Sequence, residues 1–300
     1  MADTPLRFAL LTPIVTLLPR RGPTWEADGG PEDLRQIALA ADRLGYHHLT
    51  CSEHVGIPTE VAKVRGARYY DPLATFGYMA AITQRVRFLT HVIVLPYHHP
   101  LAVAKRYGTL DRMSGGRLIL GVGVGSLREE FELLNAAFYQ RADLYTDGLK
   151  ALRAALGKRQ PVYHGEHYRF DDFIIDPWAV QERMPIWLGG RTPLSLRRAL
   201  AAADGWDPFG MDIDRLGELL AQAREWPEWR QRDEPFDVAL APEPLYDVTD
   251  QQQRSDLIDL VARYQAAGAT MLNMSFRSRS LDHYLEQLGV FAESVAPRFA

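Results

Sequence analysis

A single cysteine, Cys51, in 300 residues excludes an internal disulfide and any cysteine-rich metal site. Lysine is nearly as scarce: Lys63, Lys105, Lys150 and Lys158 are the only ones, the other basic residues being arginine, which reads as coding bias. Neither charge sign dominates, since 34 Lys and Arg face 38 Asp and Glu for a formal net charge of −4. That balance leaves no basic stripe able to grip a polyanion, so no nucleic-acid partner is expected. Apolar runs approaching the roughly 20 residues that span a bilayer are also lacking, and no membrane partner is expected. The apolar stretch Phe8 to Leu18 has no basic segment before it and is interrupted by Pro13. Pro19-Arg20-Arg21 follows it in place of a small-residue cleavage site. The chain reads as soluble and cytoplasmic.

What is present is an ordinary globular composition, 47% hydrophobic, 24% charged and 10% aromatic, which excludes disordered, collagenous and low-complexity classes. Short apolar runs alternate with longer amphipathic stretches. The runs are 7–14, 48–52, 86–95, 117–124, 185–189, 205–209, 236–241 and 269–276; the helix-like stretches are 31–44, 72–83, 101–113, 145–156, 193–203, 213–224, 251–267 and 280–296. Asp71-Pro72 and Thr192-Pro193 place proline at a helix's first position, and Gly45, Gly157 and Gly268 stand just past helix ends. Runs such as Leu118-Ile119-Leu120 suit parallel strands buried on both faces. Eight strand–helix pairs predict an α/β chain folded as one (β/α)8 TIM-barrel domain over residues 1–300, with a doubly wound open sheet as the alternative. Residues 158–183 break the rhythm with short β-like pieces around Gly165, an irregular excursion before the fifth strand expected to cover one edge of the barrel mouth.

Four constellations carry chemistry. Gly121-Val122-Gly123-Val124-Gly125 ends a strand, and alternate glycines clear one face for a planar ring or a phosphate, or for a neighbouring strand. The spacing is not that of a dinucleotide fingerprint, which needs two residues before its third glycine. Gly189-Gly190-Arg191-Thr192-Pro193 joins a strand to a helix start, where free N–H groups, a hydroxyl and a guanidinium form an anion site, or where Thr192 simply caps the helix. Glu53 and His54 close the second strand, at the barrel end where active sites lie, and could orient a substrate or move a proton; Cys51 before them reads as a small buried hydrophobe. His98-His99 and His164-x-x-His167 lack the acidic partners of a metal motif.

Taken together, Ser52-Glu53-His54-Val55, Asp71-Pro72-Leu73, Leu95-Pro96-Tyr97-His98-His99-Pro100-Leu101, Leu110-Asp111-Arg112-Met113-Ser114-Gly115-Gly116-Arg117 with the glycine run, and Pro185-Ile186-Trp187-Leu188-Gly189-Gly190 resemble the bacterial luciferase-like monooxygenase superfamily. The likeness is greatest to its deazaflavin (coenzyme F-420) dependent oxidoreductase branch. The resemblance implies a flavin or deazaflavin across the C-terminal mouth and a non-prolyl cis peptide at His91–Val92 behind its ring. It further implies that Gly121, Gly123, Gly125 and Ser126 pass beside the ribityl chain, and that Gly189, Gly190, Arg191 and Thr192 hold the phosphate. His54 matches the family's cofactor-side histidine, with Glu53 beside it where many relatives have Asp. Members that oxidise sugar phosphates carry a glutamate directly after the glycine run; here it is Ser126, which disfavours that substrate class.

The expected activity is hydride transfer between F-420 and a small, largely apolar organic substrate bordered by Tyr69, Tyr70, Trp206 and the excursion. Three alternatives stand beside it: an FMN-dependent monooxygenase using reduced flavin and oxygen, a non-catalytic flavin-binding barrel, and a phosphate-ester hydrolase or isomerase. The last requires paired carboxylates, for which Glu53 and Asp207 are the near candidates. The family resemblance also implies a homodimer formed through helices near the second and third strands. Replacing Gly123 by Val is expected to abolish cofactor binding with modest loss of stability.

Overall fold

The computed structural model describes residues 5–19 and 24–299, so Arg20 and Arg21 lie outside the described residues. Eleven strands and eleven α-helices are described. They run β1 (Arg7–Leu10), α1 (Pro31–Leu44), β2 (His48–Cys51), α2 (Thr59–Arg65), α3 (Pro72–Ile82), β3 (Arg87–Thr90), β4 (Ile93–Val94), α4 (Pro100–Ser114), β5 (Leu118–Gly123), α5 (Arg128–Leu133) and α6 (Arg141–Ala155). There follow β6 (Tyr163–His164), β7 (Arg169–Phe170), β8 (Ile186–Gly189), α7 (Pro193–Ala202), β9 (Gly205–Asp207), α8 (Ile213–Ala223), α9 (Pro227–Arg230), β10 (Asp237–Leu240), α10 (Gln251–Ala267), β11 (Met271–Met274) and α11 (Leu281–Ser294). The parallel order β3-β2-β1-β11-β10-β9-β8-β5 closes on itself where β5 pairs with β3. The closed eight-stranded parallel barrel replaces the open-sheet alternative. No helix among the described residues is long and apolar enough to cross a membrane.

Period-two alternation sorts each strand into a lumen face and a helix face. Ala9, Leu89, Ile119, Trp187, Ala239 and Met271 meet inside the barrel as their own buried cluster. Leu10, Leu49, Phe88, Leu120, Leu188 and Trp206 belong instead to the larger core beneath the helices. Helix termini use the signals read from the sequence. Asp71 accepts from the Ala74 N–H, Thr192 from the Ser195 N–H and Asp250 from the Gln253 N–H, while Gly45 and Gly268 end their helices at φ of 81° and 101°.

Two expected elements differ. The run 86–95 is split, because β3 stops at Thr90, the His91–Val92 peptide is cis, and β4 resumes at Ile93. The excursion contains the antiparallel β6–β7 hairpin and packs on α4 and α6, with Tyr168 reaching His99 at the start of α4. Asp147 of α6 accepts hydrogen bonds from Tyr163 Oη and from the His167 and Tyr168 N–H groups. Fully buried Asp111 of α4 accepts from the Val180 and Gln181 N–H groups and from Gln181 Nε2. Arg117 holds the other end of the Asp111–Arg117 segment, donating to the Ala80, Thr83 and Val86 carbonyls. That segment anchors helices at the closed pole, far from the strand ends that carry His54.

Candidate active site

The C-terminal strand ends gather one floor and two histidines. At the centre is Val92, whose side chain stands against two strands that present no side chain of their own. A Cβ on Gly123 would lie 2.7 Å from Val92 Cγ2, and one on Gly189 would lie 3.5 Å from Val92 Cγ1. A Cβ on Gly121 would fall 1.9 Å from the Thr90 carbonyl oxygen. The first two glycines of the run therefore let β5 approach the irregular strand, the neighbour-packing alternative. This corrects the expected Gly123→Val outcome. The added methyls would collide with Val92 before reaching a ligand, so its stability loss is larger than modest.

Glu53 ties that floor to the second strand. Its N–H donates to the Val92 carbonyl (3.3 Å), one carboxylate oxygen accepts from the Val94 N–H (2.7 Å), and the other meets His98 Nε2 at 2.8 Å. With both oxygens committed and only 8% of its surface exposed, Glu53 is built to hold the irregular strand, not to exchange protons with a substrate. Asp207, its expected carboxylate partner in a hydrolase, instead faces His91, Nε2 to Oδ2 at 2.8 Å. Each acid is matched to a histidine, so the paired-carboxylate arrangement is not formed.

His54 is held by a residue that the sequence reading did not single out. Glu130, the third residue of α5, is fully buried and receives four donors. They are His54 Nδ1 at 2.7 Å, the Val55 N–H at 2.6 Å, the Gly56 N–H at 3.3 Å and Tyr97 Oη at 3.0 Å. Burial pushes the Glu130 carboxyl upward, but the bonds from His54, Val55 and Gly56 outweigh it and leave it below its ordinary value. Burial and the Glu130 charge together raise the Tyr97 phenol. A carboxylate on Nδ1 fixes that nitrogen as the protonated one and leaves Nε2 as the group that can accept or deliver a proton. Tyr69 and His54 meet edge to face with centroids 4.5 Å apart, and the Tyr69 hydroxyl donates to the Arg65 carbonyl. Glu130, four residues after Ser126, thus backs His54 and is itself closed off from the mouth.

Other expected residues fall out differently. Thr192 is spent on its helix, its hydroxyl accepting from the Ser195 N–H at 3.1 Å while Ser195 Oγ accepts from the Thr192 N–H at 3.0 Å. Arg191 is exposed, its guanidinium 3.6 Å from where a Cβ on Gly210 would stand, and no hydrogen bond or ion pair engages it among the described residues. Gly190, at φ 122°, turns the chain between them. Gly125, at φ 77°, packs on Val94 and Phe131, and Ser126 beside it is exposed. Tyr70 is partly buried against the core, its N–H donating to the Val15 carbonyl. Trp206 is a correction. It is fully buried on the helix face of β9, its indole N–H donating to Ser195 Oγ at 3.2 Å, because alternation sends Gly205 and Asp207 inward instead. Cys51 is buried, and burial pushes its thiol up to about 12.

The family model for luciferase-like monooxygenases matches residues 12–294. The chain belongs to that family. An uncharacterized protein of Mycobacterium tuberculosis is 28% identical over 279 residues, covering 86% of this chain and 93% of its own. The F-420-dependent glucose-6-phosphate dehydrogenase of Nakamurella multipartita is 25% identical over 301 residues, covering 88% and 84%. Among solved structures, an F-420-dependent secondary alcohol dehydrogenase in complex with an F-420–acetone adduct superimposes with TM-score 0.75 at 15% identity over 99% of both chains. The oxygenating constituent of a 3,6-diketocamphane monooxygenase of Pseudomonas putida, in complex with FMN, gives 0.74 at 16% over 99% of both. These superpositions share the luciferase-like barrel. It is the family match that makes the chain one of the luciferase-like oxidoreductases and monooxygenases; the two superimposed enzymes themselves hold F-420 and FMN.

Residues of this mouth fit such a group. A side-chain-free strip at Gly123 and Gly189 frames Val92, a free guanidinium stands at the head of α7, and His54 presents one open nitrogen. An apolar hollow of about 410 Å³ lined by Leu6, Phe8, Tyr46, His47 and Phe291 lies at the opposite pole and carries none of these features.

Proposed function

We propose that the protein is an oxidoreductase that transfers hydride between coenzyme F-420 and a small organic substrate bound over Val92. The observation that carries this reading is the convergence of His54, backed by Glu130, with the glycine-framed Val92 floor on one rim. When bound, the redox group supplies the hydride chemistry, and the protein's part is to bind, orient and protonate. The Gly123 and Gly189 edges would admit a flat ring against Val92. Arg191, with the Gly190 turn, would take a phosphate through a charge-assisted hydrogen bond. His54 Nε2 would give or take the proton of a substrate hydroxyl or carbonyl, its imidazolium balanced by Glu130. The preference for the deazaflavin over FMN rests on the Nakamurella relative and on the motif likeness. Tight FMN binding with oxygen consumption, and no F-420 binding, would move the assignment to a monooxygenase. The intact His54–Glu130 pair argues against a barrel that has lost its chemistry.

Two outcomes test the roles. Glu130→Gln keeps the volume but removes the charge, so kcat is expected to fall about 100-fold with KM little changed. Steady-state kinetics on any substrate found by screening would check this, and an unchanged kcat would remove Glu130 from the mechanism. Arg191→Ala is expected to weaken FMN or F-420 about 10- to 100-fold while leaving riboflavin or the dephosphorylated deazaflavin within about threefold. Fluorescence titration measures both, and equal losses would contradict the phosphate role.

A further inference from the structure

His91 carries a second feature besides its backbone. Its side chain enters the lumen beneath Val92, where Nε2 lies 2.8 Å from Asp207 Oδ2, off the axis of an aligned hydrogen bond, so that charge ties the two. Asp207 is 2% exposed, and neither of its oxygens has a hydrogen-bond partner. The opposite ring nitrogen, Nδ1, has no partner among the described residues, and the side chain keeps 11% of its surface open. Phe209 of the mouth lies beside the ring, its centroid 6.0 Å away, and stands 3.8 Å from the position of a Cβ on Gly189. A buried carboxylate on one side of an imidazole and a shared mouth on the other make a working pair, not a packing accident.

We propose that His91 and Asp207 form a second ionisable pair of the mouth, whose open Nδ1 donates a hydrogen bond to an electron-rich oxygen or nitrogen of the ligand seated on Val92. This rests on the reading of the mouth as a redox site and adds to it a specificity-determining contact. The Asp207 charge, 2.8 Å from Nε2, favours a proton on that nitrogen. Nδ1 is then a donor while the ring is charged and an acceptor once it is neutral. Burial disfavours the charged ring, but the Asp207 charge outweighs it and holds His91 above its ordinary value. The charged ring presents the donor form, and the ligand it selects carries an acceptor, such as a ring carbonyl.

The other elements around the imidazole do not compete. From β2, Cys51 accepts the His91 N–H through its carbonyl, and Ser52 Oγ donates to the His91 carbonyl. His48, also of β2, feels the His91 charge and is itself held far below its ordinary value, chiefly by burial, so it stays neutral. The facing residues of β5 and β8, Gly121, Gly123, Trp187 and Gly189, carry no charge.

The test is the pH dependence of ligand affinity. Dissociation constants for FMN and for F-420 would be measured by fluorescence titration from about pH 6 to 9 in the wild type, Asp207→Asn and His91→Gln, with thermal melts confirming that each variant folds. In the wild type, affinity is expected to fall about tenfold as pH rises through the His91 titration, the loss of one such hydrogen bond. Asp207→Asn should move that step to lower pH. His91→Gln should bind about tenfold more weakly with the step gone, its profile supplying the ligand's own titration. Binding with superimposable profiles in all three proteins would overturn this inference alone. Failure of both ligands to bind the wild type would overturn the redox reading and this contact with it.

Discussion

Gly121→Ala is expected to cost more than about 4 kcal/mol of folding stability, enough to leave little soluble protein. The new Cβ would stand 1.9 Å from the Thr90 carbonyl oxygen, an atom of a paired strand that has no rotamer to change. Relief would require β3 and β5 to part where Leu89 pairs with Ile119 and where Thr90 Oγ1 donates to the Gly121 carbonyl at 2.8 Å. Gly77→Ala in α3 is the control, because nothing lies within 4 Å of its would-be Cβ. Alanine inside a helix should stabilise by roughly 0.5–1 kcal/mol. Urea denaturation of both variants checks the contrast. A Gly121→Ala protein within about 1 kcal/mol of wild type would mean that β5 does not pack on β3 as described.

Acid is expected to weaken the fold well before the carboxylates titrate. His47 Nδ1 lies 2.9 Å from His48 Nδ1, and His48 Nε2 lies 2.8 Å from Asn273 Oδ1, a chain that uses two neutral imidazoles. Burial, with Arg7 and Arg87 nearby, lowers His47 to about 3, and burial with the neighbouring His47 lowers His48 still more decisively. For a base depressed in the folded state, the unfolded chain binds the extra proton first. Stability is therefore complete above about pH 6.5 and drains as pH falls below it. From about pH 7.5 to 5 each histidine costs about 2 kcal/mol, or about 4 kcal/mol together. His91 acts with the opposite sign, its contribution complete below its ordinary value and lost as pH rises through its raised folded value. Urea midpoints collected across this range test the sum. A profile flat to pH 5 would show that the two imidazoles are not neutral and enclosed.

The barrel was legible because its signals are local and repeated. Pro72 and Pro193 at helix starts, glycines at helix ends and eight apolar runs each mark an element without help from the rest of the chain. Long-range chemistry was legible only in part. His54 stands out by its place at a strand end, but its support comes 76 positions later, from a helix of six residues too short to show a period. Its sequence, Arg128-Glu129-Glu130-Phe131, reads as solvated charge, and only the fold turns one of those acids inward. Trp206 was misplaced for a related reason. Residues 205–209 show no polar alternation, so nothing in the run itself says which face meets the lumen. The glycines were ambiguous in another way. Approach by a neighbouring strand and approach by a ring demand the same missing Cβ, and only coordinates separate Gly121, pressed on a carbonyl, from Gly123, pressed on a side chain at the mouth.

The central claim is that one rim, with Val92 at its floor, holds a flat redox cofactor. Titrating the purified protein with oxidised FMN and with F-420, followed by ligand fluorescence, tests it most directly. One of the two should bind once per chain with a dissociation constant below about 10 µM, and Gly189→Phe should abolish that binding without loss of cooperative unfolding. Saturation by neither at about 100 µM, or equal binding by the Gly189→Phe protein, would place the chemistry elsewhere or nowhere in this barrel.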